Sequence, residues 1–274
     1  MFFDSHTHLN NENISQRERE ILFREIENSK VDYVIDVGFD LVSSKLAVEH
    51  AQRLPWCYAA VGCHPHETKH MNETEFVFLK SLAKKKKVKA IGEIGLDFHY
   101  NFSDKESQRY WFRRQIALAL DLKMPIIIHS READREVLDT LREEGVFSDR
   151  RKTDFPLKSD GTPDARVLLH CYSGSKELAH QYVKMGATIS IAGPVTYKNN
   201  KKTKGVVEEI QLKNLLIETD APYLTPEPLR GKKNKSPYVE YTARCISLIK
   251  DVSLEEVAEV TKTNAMRFFD IKED

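Results

Sequence analysis

A (β/α)8 TIM barrel, an α/β fold, is the class this sequence predicts, on three observations. The chain has 274 residues, close to the ~250 of one such barrel. Short β-rich runs alternate with longer stretches of helical periodicity, the pattern of a parallel sheet with crossover helices. Side chains able to bind metal stand at the ends of several of those runs, where barrels build their sites. Neither an internal repeat nor a linker composition interrupts the pattern, so a single domain over residues 1–274 is expected.

The expected strands cover residues 2–9, 31–38, 57–64, 88–96, 125–130, 166–172, 187–192 and 215–219. The clearest helix lies in SDKESQRYWFRRQIALALDLK, where Ser103 and Glu106 have capping-box spacing and apolar residues recur every three or four positions up to Leu122. After Pro237 the chain reads as two helices, the second capped by Ser253 with Glu256 three residues on. One segment breaks the rhythm: residues 145–165, GVFSDRRKTDFPLKSDGTPDA, are polar and proline-bearing. They lead into the sixth strand, hence belong to the N-terminal face of a barrel, and read as a solvated excursion.

Composition narrows the function classes. Lys+Arg and Asp+Glu are both 42, so there is no global basic field and any nucleic-acid contact must come from a local patch. Cys57, Cys63, Cys171 and Cys245 form no CxxC pair and no dense framework, as expected of reduced thiols in a cytoplasmic protein. Asp4 and His6 stand where a signal peptide would need an apolar core, and no apolar run approaches a membrane span. The sequence leaves the oligomeric state open, and a monomer is compatible with it.

The chemistry is carried by His6 and His8 in FFDSHTHL, Glu93 in KAIGEIGLDF, His129 in MPIIIHSRE, His170 in ARVLLHCYSG and Asp220 in NLLIETDAPY. Such groups rarely cap buried runs unless something pairs with them. Four imidazoles and two carboxylates converging at strand ends suit one or two divalent ions and hydrolytic chemistry. Strand alternation puts His6 and His8 on one face with Thr7 opposite. Glu93 sits in a Gly-Glu-Ile-Gly turn where glycines permit close approach, and a carboxylate can bridge two ions where an imidazole cannot. Asp220 could bind metal, accept a proton from water, or both.

Other groups fall on the same rim. His64 and His66 in VGCHPH could donate to a substrate oxygen or orient a ligand, and Asp97 and His99 follow Glu93 closely. His50, His70 and His180 read as ordinary surface or packing residues. Cys63 and Cys171 read as small packing groups. Lys84 to Lys87 end the helix before strand four, on the face away from the site, where they suit the helix C-terminus. YKNNKKTK at 197–204 and RGKKNK at 230–235 follow strands seven and eight, so Lys198, Lys201, Lys202, Lys204, Arg230, Lys232, Lys233 and Lys235 would rise at the mouth, placed to meet phosphates.

The chain resembles the TatD-type metal-dependent deoxyribonucleases of the amidohydrolase-like barrel superfamily. The matching pieces are DSHTHL, VGCHPHE, IGEIGLDF, QRYWFRRQ from Gln108 to Gln115, PIIIHSREA, LLHCYSG, IETDAPYLTP and TNAMRFF, in order along almost the whole chain. The resemblance implies a (β/α)8 barrel of the metal-dependent hydrolase type that cleaves DNA phosphodiesters, removing nucleotides from a 3′ end. It implies that His6, His8 and Asp220 hold one metal and His129 and His170 a second, with Glu93 bridging. Magnesium, manganese or zinc would suit such a pair. His99 departs from the commoner aromatic, and the 145–165 excursion is longer than usual. The alternative expectation is a small-molecule amidohydrolase cleaving a cyclic amide or ester on the same barrel. Many of those bridge their metals with a modified lysine on strand four, where this chain offers Glu93.

Overall fold

The computed structural model describes residues 1–158 and 160–272. In chain order the elements are β1 (Phe2–Thr7), α1 (Gln16–Glu27), β2 (Val31–Val37), α2 (Leu41–Arg53), β3 (Cys57–Val61), α3 (Glu73–Ala83), β4 (Val88–Asp97), α4 (Lys105–Asp121) and β5 (Ile126–Arg131). They continue as α5 (Asp134–Glu143), α6 (Asp149–Lys152), β6 (Val167–Leu169), α7 (Lys176–Lys184), β7 (Thr188–Ile191), α8 (Lys201–Glu209), β8 (Leu215–Ile217), α9 (Val239–Lys250) and α10 (Leu254–Phe268). The eight strands form one sheet in the order β1 to β8. Thr7 makes a parallel bridge to Ala221, just past β8. This is the (β/α)8 barrel that the alternation predicts, with strands shorter than expected because several site residues lie just beyond the last ladder bond.

The chain divides into two compact units. One comprises residues 1–36, 170–184 and 188–274, the other residues 37–169 and 185–187. In the first, Phe3, Ile189, Ile191 and Leu215 to Ile217 are buried; in the second, Ile91, Ile94, Ile126 to Ile128 and Val167 to Leu169 are. Continuous Val, Ile and Leu runs of this kind are what strands covered on both faces require.

Each unit bends one strand at a site residue. Between Asp4 and Thr7 the register of β1 against β2 slips by one residue, around Ser5 and His6. Between Ile91 and Ile94 the register of β4 against β5 slips likewise, around Gly92 and Glu93. Bulges re-aim side chains in this way. Glu93 therefore lies inside a bulged strand and not in a turn. Gly95 has φ +151°, and a Cβ there would sit 1.9 Å from the backbone oxygen of His129, so only glycine lets β4 and β5 approach.

Three further expectations need correction. The α4 cap is Asp104, which accepts the N–H of Ser107; Ser103 instead donates to the His66 carbonyl and accepts the N–H of Lys69. The 145–165 segment is not simply solvated. Arg151, Lys158 and Asp164 are buried, with Arg151 over the Phe155 ring and Lys158 Nζ donating to the carbonyl of Ala187. Charged heads bury here because backbone carbonyls and an aromatic face receive them. Residue 159 of that segment lies outside the described residues. Finally, Lys201, Lys202 and Lys204 belong to the first turn of α8, capped by Asn200, and not to a loop. The Ser253 cap is present, its hydroxyl accepting the N–H of Glu256.

Candidate metal centres

In the first unit five titratable side chains gather at the C-terminal ends of β1 and β8 and just past β6. The Nε2 atoms of His6 and His8 are 3.2 Å apart. Asp220 Oδ1 lies 3.3 Å from His8 Nε2 and 3.8 Å from His6 Nε2. The rings of His6 and His170 stack at 4.1 Å. Glu218, fully buried, places Oε2 at 3.6 Å from His6 Nδ1 and 3.5 Å from His170 Nδ1. Its other oxygen accepts the Ser190 hydroxyl and the N–H of Cys171.

Donors held at ~2.0–2.2 Å from one ion stand roughly 3–3.5 Å from each other. The separations of His8 from His6 and from Asp220, 3.2 and 3.3 Å, fit that geometry, and those of Glu218 from the two imidazoles it faces, 3.5 and 3.6 Å, lie at its edge. This cluster could therefore hold a divalent ion. Burial raises the Asp220 pKa, but the His8 hydrogen bond and the charges of His8, His6 and His170 outweigh it, and the carboxyl lies below its usual range. Beneath the cluster, Asp4 accepts the N–H of Thr219 at 2.9 Å and its hydroxyl at 2.6 Å. Burial pushes the Asp4 carboxyl up to about 7, against those hydrogen bonds. Asn234 donates to the Thr219 and Tyr223 carbonyls, holding the loop after β8.

In the second unit the gathering is at the ends of β3, β4 and β5. Glu93 Oε1 lies 2.7 Å from His129 Nδ1 and 3.5 Å from His64 Nε2. Asp97 Oδ2 lies 2.9 Å from His66 Nε2 and 3.1 Å from His129 Nε2. Burial would raise the Asp97 pKa, but hydrogen bonds from His129 and His66 hold it well below the carboxylate range. His64, Glu93 and His129 could hold an ion by proximity. His64, however, accepts the N–H of His66 at Nδ1. A neutral imidazole accepting there carries its proton on Nε2, which makes it a donor toward Glu93 and a poor ligand. His129, flanked by a carboxylate at each nitrogen, has the arrangement of a ligand oriented from behind.

Two glutamines of α4 support this second cluster. Gln115 accepts the N–H of Cys63 at 2.7 Å and donates to its carbonyl. Gln108 accepts the N–H of Asp97 at 2.9 Å and donates to the carbonyls of Asp97 and Ser103. They satisfy peptide groups that the ladder abandons where β3 and β4 end. Cys63 beside them is a buried free thiol whose pKa is raised by burial.

The sequence reading passed over Glu218. The signal was available, since Glu218 and Asp220 stand two apart after an apolar run, the spacing that paired His6 with His8. Of the basic residues, Lys235 pairs with Glu25, Lys233 lies 3.8 Å from Glu18, Lys204 donates to the Tyr197 carbonyl and Arg230 covers the Tyr197 ring. Lys198, Lys201, Lys202 and Lys232 are exposed. Lys87 donates to the carbonyls of Leu54 and Pro55, a structural use.

Barrel and donor chemistry together define a metal-dependent hydrolase. A family model described as TatD related DNase matches residues 3–270, and the chain belongs to that family. It is 41% identical, over 99% of its length and all of the relative's, to a Bacillus subtilis protein called uncharacterized metal-dependent hydrolase YabD. It is 28% identical to the 3'-5' ssDNA/RNA exonuclease TatD of Erwinia tasmaniensis, covering 93% of this chain and 95% of that one. In fold it is similar to the crystal structure of the Escherichia coli TatD homolog YJJV, with TM-score 0.85, 24% identity, and 99% and 98% of the two chains covered.

Proposed function

We propose that the chain is a deoxyribonuclease that hydrolyses DNA phosphodiesters with two divalent ions, magnesium, manganese or zinc, working exonucleolytically from a 3′ end. The observation that carries this reading is the pair of clusters, each of three imidazoles and two carboxylates at strand ends. In it, His6, His8 and Asp220 would hold one ion and His129 and His170 the second, Glu93 would serve both, and Glu218 would stand behind the two imidazoles it faces. Bound divalent ions supply Lewis-acid stabilisation of phosphoryl charge and acidify water. Asp220, ionised at neutral pH, takes the proton of the attacking water as the new O–P bond forms and the bond to the leaving 3′ oxygen breaks. His64 donates from Nε2 to a phosphate oxygen, and His66 is fixed beside it by Asp97. Arg230 and Lys232 meet the approaching strand. The family, and the relative named an exonuclease, support this reading. The free thiols suit a reducing compartment such as the cytoplasm, and among the described residues no helix is long and apolar enough to cross a membrane.

The test is a digest of 3′- and 5′-end-labelled single- and double-stranded DNA across magnesium, manganese and zinc, beside a panel of cyclic amides and esters. Metal-dependent shortening from the 3′ end is expected. Turnover confined to the amide and ester panel would overturn the reading in favour of a small-molecule amidohydrolase.

A further inference from the structure

The turn that follows β4 carries two aromatic rings into solvent. Tyr100 is 41% and Phe102 54% exposed, and their rings stack at 5.2 Å with planes 23° apart. An aromatic pair left so far in water adds little to the core, yet this turn is fastened at both ends. Asp97 Oδ1 accepts the N–H groups of His99 and Tyr100, both at 3.0 Å. Ser103 is tied to the backbone of His66 and Lys69, and Gln108 holds its carbonyl. The backbone of the turn is thus held with both rings exposed, and Asp97, which holds it, also contacts His66 and His129. The His66 ring lies 5.6 Å from Tyr100 and 4.9 Å from Phe102. An exposed guanidinium, Arg131, covers the Tyr100 ring at 4.7 Å.

We infer that Tyr100 and Phe102 form a stacking platform for an unpaired base of the nucleic-acid substrate, with Arg131 facing its backbone phosphate. The inference rests on the nuclease reading and deepens it by assigning part of the substrate specificity. Aromatic faces beside cationic groups bind single strands because every base has a π-face, so the contact is tolerant of sequence. A base inside a duplex offers no such face, so the platform favours single strands or frayed ends over intact duplex.

The test uses the metal-loaded protein with a single-stranded oligonucleotide, the same strand built of abasic residues, and a strand carrying 2-aminopurine near its 3′ end. Loss of a base–aromatic stack corresponds to roughly 5- to 150-fold. Phe102→Ala is expected to raise KM for the base-bearing strand by about that factor, and Phe102→Tyr to restore it. On the abasic strand wild type and Phe102→Ala should have equal KM. Wild type should quench 2-aminopurine fluorescence, and Phe102→Leu, which keeps apolar bulk without a π-face, should not. Unaltered KM and quenching in a Tyr100→Ala, Phe102→Ala double variant would overturn the platform while leaving the nuclease reading intact. If wild type cut no DNA at all, the nuclease reading would fall, and the quenching experiment would still decide whether the platform binds a base.

Discussion

The two compact units carry matched sets of side chains, each three imidazoles and two carboxylates, and hold them in different ways. In the first unit, Nε2 of His6 faces Nε2 of His8, and both face Asp220, at 3.2–3.8 Å. The shorter of these, 3.2 and 3.3 Å, match what donors around one ion would show. In the second, the closest approaches are hydrogen bonds of 2.7–3.1 Å between imidazole and carboxylate. There carboxylates orient the rings through direct hydrogen bonds. Residue type sets what a cluster can bind, while the atom each ring presents sets what it does. The supports differ as well. In the first unit a buried carboxyl, Asp4, clamps the strand ends beside the Asn234 amide, whereas in the second the amides of Gln108 and Gln115 do so.

The sharpest way to break this comparison is to remove a carboxylate from each cluster. Asp220→Asn is expected to cut turnover by ~10²–10⁴ or more, since the proposed roles of proton acceptor and ligand would both be lost. Glu93→Ala is expected to lower both rate and metal content by elemental analysis. Full metal occupancy in Glu93→Ala would end its assignment as the group shared by both ions.

A smaller effect should separate ligation from orientation. Asp97 touches imidazoles and backbone, and groups of that kind typically contribute 10- to 100-fold to metal affinity or activity. Asp97→Asn is expected to fall in that range, with a loss of rate one to two orders milder than for Asp220→Asn. Equal losses in the two variants would show that the second cluster is as much a chelate as the first.

The smallest effect concerns the supports. Gln108→Leu strands the Asp97 peptide groups, and each buried group left unsatisfied costs about 1–3 kcal/mol. Thermal unfolding should drop by several degrees, with rate reduced only through displacement of Asp97. Asn234→Leu in the first unit is the matched substitution. If Gln108→Leu left both melting temperature and rate unchanged, the amide clamp would be incidental.

Much of this was readable in the linear order of residues. Alternating β-rich and helical periods named the barrel, because apolar period and strand length are local properties of the chain. His6, His8, Glu93, His129, His170 and Asp220 could be picked out because a polar group closing an apolar run is conspicuous wherever it occurs. Even the cap of α10 was legible in Ser253 and Glu256, three residues apart. Contacts between distant segments were not. Glu218 meets His6 and His170 only because β1, β8 and the segment that starts at His170 come together, and nothing in IETD says which imidazole it will face. Bulges in β1 and β4 turn His6 and Glu93 by one residue of register, a shift that hydrophobic pattern alone does not encode. The tautomer of His64 depends on one backbone N–H two residues away, whose position a turn decides. The buried charges at 145–165 looked solvated because their partners, the Ala187 carbonyl and the Phe155 ring, are supplied by folding. Composition and period are one-dimensional and survive in the sequence, whereas donor–acceptor geometry exists only once the chain has closed on itself.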